Sequence, residues 1–534
     1  MNDKINLALL RLTKRAEMSD PKALVDTFVD TGMLHTLLAS RDHQVIYGRR
    51  GTGKTHALLY LSETKRVAND LTIFVDMRTI GSSVGLFADE SIPLPERATR
   101  LLRDTLTSIH DRLYEIATTP GETLDLSQVA PQLDAFYDAA TQTQVLGTTT
   151  EESQVAEGHR SEGSFSSSVS VSPSAASLSA TATDKREASE SLSRKTQQSG
   201  QAVHRVRFGA IGQTLGSIAR SASPRRLWLL LDEWSAVPSD LQPYLADMIR
   251  RCLLPVSGIT VKIAAIEQRT NFLITGCRGD YTGIEIGADV AADLNLDDFM
   301  VFDHNAGRAF EFFGRLIFNH YKTVQPEIAG SPVFSTVRDF SSHAFTQRTA
   351  LEEIVRAAEG VPRDAINVLA VSAQKASSNP ISVSHSRSAA KTWYQRDKES
   401  AVSANIRANA LLRWIVDEVI AHRRARAFLV LSGTRDPLID SLFDARVLHL
   451  LKRNISAQEQ PGVRYDAFKI DYGCYVDLLS TAREPQGALP LGDDGNSDGG
   501  YVEVPPDDYR AIRRAILDLT AFYANPLDCQ SAAG

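Results

Sequence analysis

Residues Gly48–Thr55 read GRRGTGKT, and this pattern constrains the fold of the chain more than any other. An apolar segment suited to a strand, Gln44–Tyr47, comes before it, and a segment with helical spacing begins at Lys54. Glycines in such a loop let consecutive N–H groups face one phosphate, and the helix N-terminus behind them favours negative charge. The sequence therefore predicts a strand, a phosphate-binding loop and a helix in succession.

The loop predicts ATP as the ligand, together with Mg²⁺. We expect Lys54 to reach the β- and γ-phosphates and the Thr55 hydroxyl to bind Mg²⁺. The expected nucleotide contacts are the loop residues and the residue after them: Gly48, Arg49, Arg50, Gly51, Thr52, Gly53, Lys54, Thr55 and His56.

Two acids, Asp232 and Glu233, end a second apolar run, LWLLL, which is typical of a buried parallel strand. An acid at such a strand end holds Mg²⁺ in enzymes with this loop, and the next residue can polarise the attacking water as a general base. A solvated pair of acids is the other interpretation. The upstream phosphate-binding loop favours Asp232 as a metal ligand and Glu233 as the base.

Two arginines are candidates for contacting the terminal phosphate. The strand VKIAAI ends in EQRTN, where a cation suits a phosphate best, so Arg269 is favoured and Gln268 is second. Arg363 follows a Gly-Val-Pro turn at a helix start, where the helix dipole repels a cation unless an anion lies nearby. An ordinary exposed position stays an open alternative for each arginine.

Strands alternate with helices as far as about residue 305, which predicts a three-layer α/β core with a parallel sheet. A Ser-rich insertion at about 141–203 has the composition of a flexible segment, although its alternating text SFSSSVSVS leaves a surface hairpin open. The predicted parts are N-terminal helices packing on the core (1–40), the core (41–305), a helical lid (306–376), a linker (377–404) and a C-terminal α+β domain (405–534).

Charge and composition exclude several classes of protein. The net charge of −7 argues against a whole-molecule electrostatic grip on nucleic acid. No apolar run reaches about 18 residues, so a membrane span is not expected. The N-terminal text lacks the apolar segment of a secretion signal, and the four cysteines lack metal-site spacing. A reducing, cytoplasmic setting is the expectation.

Four segments, GRRGTGKT, LLLDEW, EQRTN and GVPRDAINVL, stand in the order found in AAA+ ATPases. The chain most resembles their origin-recognition and replication-initiator branch, in which a winged-helix domain follows the ATPase module. The resemblance covers roughly residues 20–376. It implies ATP hydrolysis and a catalytic set of Lys54, Glu233, Arg269 and Arg363, with Arg363 as the "sensor 2" arginine that touches the γ-phosphate from the lid.

The C-terminal text resembles a winged helix in outline. Helices are predicted at Ile406–Arg423 and Pro437–Leu451, and a wing at Val463–Leu478. The cluster HRRAR at residues 422–426 suits phosphate contacts or, as the other interpretation, a solvated helix end. These features imply duplex DNA as a partner.

The strand end EQRT also resembles the signal-transduction ATPases with numerous domains (the STAND group), where an arginine at this place senses nucleotide. That resemblance implies a nucleotide-gated assembly that acts through protein partners, for example in a defence complex. Either group implies a homo-oligomer or a protein partner. Arg278 is the candidate finger for a neighbouring subunit, with Arg250 and Arg251 as alternatives.

Overall fold

The structure is a computed structural model. It describes residues 1–30, 33–81, 89, 91–119, 124, 126–153, 194–204, 206–276, 279–297, 306–418, 427–434, 436–456, 462–479 and 516–524. The strands are β1 (Gln44–Tyr47), β2 (Leu71–Asp76), β3 (Thr143–Ser153), β4 (Arg194–His204), β5 (Leu227–Asp232), β6 (Ile259–Ala265), β7 (Leu273–Thr275), β8 (Tyr281–Gly283), β9 (Ala291–Asn295), β10 (Ala427–Leu431), β11 (Leu448–Ser456) and β12 (Arg464–Ile470).

The helices are α1 (Asn2–Leu10), α2 (Pro21–Thr27), α3 (Leu34–Leu38), α4 (Lys54–Val67), α5 (Leu94–Thr118), α6 (Leu126–Thr141), α7 (Phe208–Ala222), α8 (Gln242–Cys252), α9 (Ala306–Val324), α10 (Val337–Ala344), α11 (Arg348–Ala358), α12 (Pro362–Ala376), α13 (Val383–Trp393), α14 (Ser400–Ser403), α15 (Ile406–Ile415), α16 (Pro437–Asp444), α17 (Tyr472–Leu479) and α18 (Leu519–Ala524). Among the residues that the structure describes, no helix is long and apolar enough to cross a membrane.

The core is a parallel sheet with the strand order β2-β5-β6-β1-β9. Side chains alternate between its faces, so Val45 packs with α5, α6, α7 and α8, whereas Ile46 packs with α3 and α4. The predicted three-layer α/β core is confirmed. β6 lies between β1 and β5, which brings the ends of all three strands to one edge of the sheet.

The lid consists of helices α9 to α13, and the N-terminal helix α1 belongs to it. Ile5 and Leu9 of α1 lie in the same buried cluster as Leu369 of α12, and Asn6 donates hydrogen bonds to the Ser377 and Asn379 carbonyl oxygens. The prediction that residues 1–40 all pack on the core was therefore wrong for α1. The apolar stripe of α1 covers the lid, whereas α3 covers the sheet.

Residues 377–404, predicted as a linker, are largely helical. Helix α13 begins with a capping box at Ser382, and a π-helix over Tyr394–Glu399 continues it into α14. Ala389 and Ala390 are buried against the lid. The linker prediction relied on polar composition, but the small residues of this segment recur at helical spacing and pack closely.

The C-terminal domain carries an antiparallel sheet with the order β10-β12-β11. Helix α16 ends at Asp444, so the predicted helix over Pro437–Leu451 is wrong in its second half, where β11 begins. The predicted wing is β12 followed by the helix α17. Residues 419–426, with the basic cluster, lie outside the described residues.

The described parts of the Ser-rich insertion pair as an antiparallel ribbon. Strand β3 runs against β4, from Thr143 opposite His204 to Ser153 opposite Arg194. The hairpin interpretation concerns other residues, which lie between these two strands. The alternating text SFSSSVSVS falls outside the described residues.

Candidate nucleotide-binding site

The phosphate-binding loop joins the end of β1 to the start of α4. Gly51 and Gly53 have φ angles of +88° and +95°, a left-handed conformation that a side chain would strain. Helix α4 begins at Lys54 directly after them. The loop thus presents backbone N–H groups and a helix N-terminus to one point, as a phosphate requires.

Lys54 is buried with its ammonium group inside the loop. Its Nζ donates to the carbonyl oxygens of Gly48 and Arg49 over 2.8 and 2.9 Å. Burial lowers the pKa of Lys54, against the opposing attraction of Glu233 and Asp297. A phosphate oxygen would give this ammonium a charged acceptor in place of two neutral ones.

Asp232 and Thr55 form the candidate magnesium site. The Thr55 Oγ1 donates to Asp232 Oδ2 over 2.6 Å, which brings a hydroxyl oxygen and a carboxylate oxygen together. Burial raises the pKa of Asp232 to about 6. Oxygen ligands of these two kinds fit Mg²⁺, which would also favour the ionised form of the buried carboxyl.

Glu233 follows with a φ of +54°, an uncommon conformation for a residue other than glycine. Its carboxylate lies 4.0 Å from the guanidinium group of Arg78, which also pairs with Asp76 and Glu17. No sequence motif marks Arg78, which lies in the turn after β2.

A cavity of about 290 Å³ brings most of these groups together. Arg363, at the first turn of α12, lines it from the lid side, and its backbone N–H donates to the Gly51 carbonyl oxygen over 3.2 Å. Burial lowers the pKa of Arg363, as does the nearby charge of Arg446. The lining of the cavity includes the loop glycines Gly51 and Gly53 and, among its polar side chains, Arg15, Glu17, Arg50, Lys54, Thr55, Arg78, Glu233 and Arg363.

Less polar residues and two histidines also line this cavity. Leu24, Leu316 and Ile366 line it beside His56 and His320. The His56 Nε2 lies 2.8 Å from the Leu24 carbonyl oxygen, whereas the His320 ring makes no hydrogen bond with the described part of the chain. Burial lowers the pKa of His320 to about 4, so its ring is neutral near pH 7. No motif marks His320.

Arg269 lies outside this cavity. Its guanidinium group pairs with Asp444 of the C-terminal domain, and the neighbouring Glu267 pairs with Arg453 over 2.6 Å. Gln268 lines a second cavity, of about 1070 Å³, between the core and the C-terminal domain. The structure thus places Arg269 and Gln268 away from the phosphate-binding loop's nucleotide face, because the turn Glu267–Arg269 faces the C-terminal sheet.

Two of the three candidate arginine fingers form ion pairs within the core. Arg250 and Arg251 both pair with Asp247, and Arg250 stacks on the Tyr281 ring. Arg278 lies outside the described residues.

The remaining loop residues divide between two environments. Arg50 lines the nucleotide cavity, and Thr52 is buried with its hydroxyl donating to the Arg49 carbonyl oxygen over 2.9 Å. The Arg49 side chain is directed away from that cavity and lines the second one. The Arg49 side chain, predicted as a nucleotide contact, thus does not line the nucleotide cavity in this structure.

Comparison with known proteins gives a family match and similar solved structures. Residues 12–73 match the family model described as ORC-CDC6-like. The structure of the Aeropyrum pernix ORC1 protein in complex with DNA aligns with a TM-score of 0.29 and 12% identity, over 89% of this chain and 96% of that one. No curated protein shows a significant sequence match. The segment that carries the phosphate-binding loop is thus similar to the ORC-CDC6-like family.

Proposed function

We propose that this chain is an AAA+ type switch protein that binds and hydrolyses ATP. The observation that carries the proposal is that Lys54 and Thr55 of α4, Glu233 after β5 and Arg363 of α12 line one cavity although they come from three separate parts of the chain. In the proposed reaction Lys54 and the loop hold the β- and γ-phosphates, and Glu233 takes the proton of the attacking water. Arg363 contacts the γ-phosphate from the lid, so hydrolysis releases the lid from the core.

Mg²⁺ would be held by Thr55 and Asp232 and would neutralise charge on the phosphate oxygens. The hydrogen bond between these two residues supports this assignment. The roles of Asp232 and Glu233 then differ: Asp232 fixes the metal, and Glu233 acts on water.

The test is a pair of variants measured for ATP binding and for phosphate release. Lys54→Ala should abolish ATP binding, because in the proposed reaction its ammonium group holds the β- and γ-phosphates. Glu233→Gln should keep ATP binding and slow hydrolysis by a factor of about 100 or more. A Glu233→Gln protein that hydrolyses ATP as fast as the parent would remove Glu233 as the base. A parent protein that binds no ATP would overturn the proposal.

We propose further that the switch acts on or at duplex DNA through the C-terminal domain. Lys452 and Arg453 on β11 and Arg464 on β12 are exposed cations on one antiparallel pair of strands, as phosphate contacts require. Duplex DNA binding should weaken steeply with added salt. A full-length protein that binds no duplex at low salt, with or without ATP, would exclude DNA as the partner.

The second candidate is a STAND-like assembly that acts through protein partners. The ion pairs Arg453–Glu267 and Arg269–Asp444 favour it, because they join β11 and the end of α16 to the core. The Arg453–Glu267 pair would have to break if β11 were to bind DNA. Here ATP would release the C-terminal domain and expose a surface for assembly. Particle size with ATP, ADP and no nucleotide separates the two: nucleotide-dependent oligomers without DNA support the second candidate.

A further inference from the structure

Arg49, the second residue of the phosphate-binding loop, contacts several charged or polar partners and one aromatic ring. Its Nε lies 2.8 Å from Asp297 Oδ1, and its backbone N–H donates to Asp297 Oδ2 over 2.9 Å. Its Nη2 donates to the Glu359 carbonyl oxygen over 3.1 Å, and its guanidinium group lies 5.4 Å from the centre of the Phe443 ring. Only 3% of Arg49 is exposed, so this is a fixed side chain.

The remaining partner, His449, belongs to the C-terminal domain. The Arg49 Nη1 donates to His449 Nδ1, and the opposite nitrogen, Nε2, donates to Asp471 Oδ2 over 3.1 Å. This chain of donors requires a neutral imidazole with its proton on Nε2. Burial lowers the pKa of His449 to about 3, against the hydrogen bond to Asp471, which raises it. The ring is therefore in the form that accepts from Arg49.

The same network returns to the lid. Lys398 bridges Asp471 and Asp364, at 2.5 and 3.0 Å, and Arg446 pairs with Asp364 over 2.5 Å. Asp364 directly follows Arg363 at the start of α12. One buried network of the C-terminal domain therefore contacts both the phosphate-binding loop and the lid arginine's neighbour.

We propose that His449 is a positioning residue that presets the phosphate-binding loop through Arg49. The Arg49 carbonyl oxygen accepts from both Lys54 and Thr52, so the position of Arg49 determines where these two loop groups lie. A loop that is preset in this way loses less conformational freedom when ATP binds, which raises affinity. The inference rests on the proposed ATP-binding function, and it adds that the C-terminal domain contributes to that affinity.

The group Glu359, His449 and Asp471 also has three potential metal-ligand atoms within 4.8 Å of one another. Its side chains already have cationic partners, because Lys469 pairs with Glu359 and Lys398 pairs with Asp471. Arg49 donates to the histidine nitrogen that a metal would need. The cationic groups of Lys398, Lys469 and Arg49 therefore already neutralise this cluster. This arrangement favours a positioning role for His449 over metal binding.

Two substitutions separate the two hydrogen bonds of His449 in the full-length protein. His449→Asn places an amide oxygen near the position of Nδ1 and can still accept from Arg49. His449→Gln places its amide near Nε2, which keeps a donor for Asp471 but removes the acceptor for Arg49. Both are polar and smaller than or close to histidine in size, so they form a matched pair.

The measurement is the dissociation constant of a fluorescent ATP analogue with Mg²⁺, alongside the denaturant midpoint of each protein. We expect His449→Gln to bind roughly tenfold more weakly than the parent, and His449→Asn to recover most of that loss.

Equal affinity of parent and His449→Gln would overturn the inference, and so would a loss that is the same for Asn and Gln and follows the denaturant midpoint. Tighter binding by His449→Gln would also overturn it, since the network would then oppose ATP. If the parent protein does not bind the analogue, the proposed function is overturned, and this outcome does not depend on the His449 variants.

Discussion

The Thr55 Oγ1 donates a hydrogen bond of 2.6 Å to Asp232 Oδ2, which joins the first turn of α4 to the end of β5. Burial raises the pKa of this carboxyl to about 6, above its ordinary 3.8. A carboxyl with a raised pKa stabilises the fold most when it is neutral, below about pH 4, and that stability is lost as the pH rises through about 6.

The first prediction follows from this shift. Asp232→Asn stays neutral, so we expect it to raise the free energy of unfolding at about pH 7.5 by about 2 kcal/mol and to flatten its pH dependence between about pH 4 and 6. Denaturant unfolding at several pH values, without nucleotide or Mg²⁺, measures this. The exposed Asp134→Asn is the control, with an expected change below about 0.5 kcal/mol. A steep pH dependence that survives in Asp232→Asn would assign it to another group.

The sequence predicted the parts of the site that lie in motifs. Tight turns, a buried strand and a helix start restrict where Lys54, Asp232 and Arg363 can lie, and parallel strands bring their ends to one edge of the sheet. The C-terminal domain gave no comparable restriction. Its helix α16 is shorter than its apolar pattern, and β11 begins where a helix was predicted, because cross-strand pairing with β12 overrides local propensity.

Contacts between distant segments could not be predicted from one sequence. Arg269 and Asp444 are 175 positions apart, and Arg49 and His449 are 400 apart. A cation at the end of β6 suits a phosphate or a carboxylate equally well, and only the placement of the C-terminal domain decides between them. Arg269 was therefore predicted for the nucleotide although its partner in this structure is an acid.

The second prediction compares the two arginines. Arg363→Ala should weaken ATP binding about tenfold, because a charged hydrogen bond to phosphate is lost from the cavity. Arg269→Ala should change the affinity by less than about threefold, because its guanidinium group pairs with Asp444. Calorimetric titration with ATP and Mg²⁺ gives both values. An equal loss in the two variants would mean that Arg269 leaves Asp444 when ATP binds.

The third prediction concerns the part of the cavity that would bind the adenine base of ATP. The His320 ring is 8% exposed and makes no hydrogen bond within the described residues, so a purine edge would supply one. His320→Leu should weaken ATP binding about tenfold and leave inorganic tripolyphosphate binding unchanged. Competition of each ligand against a fluorescent ATP analogue measures the difference.

His343→Leu is the matched control for His320, since His343 is exposed on α10, away from the cavity. It should bind both ligands as the parent does. If His320→Leu weakened the binding of ATP and of tripolyphosphate equally, His320 would affect phosphate binding or folding, and not recognition of the adenine base.

The last prediction tests the buried charges that join the C-terminal domain to the lid. Burial lowers the pKa of Lys398, but Asp364 and Asp471 more than offset this, so its pKa lies above the ordinary value. Lys398→Met would leave two buried carboxylates without the cation they share, which should cost about 3–5 kcal/mol. Lys375→Met, on the exposed side of α12, should cost less than about 0.5 kcal/mol. The denaturant midpoints of the two full-length variants decide the matter: if Lys398→Met unfolds at the midpoint of Lys375→Met, the network does not hold the two domains together.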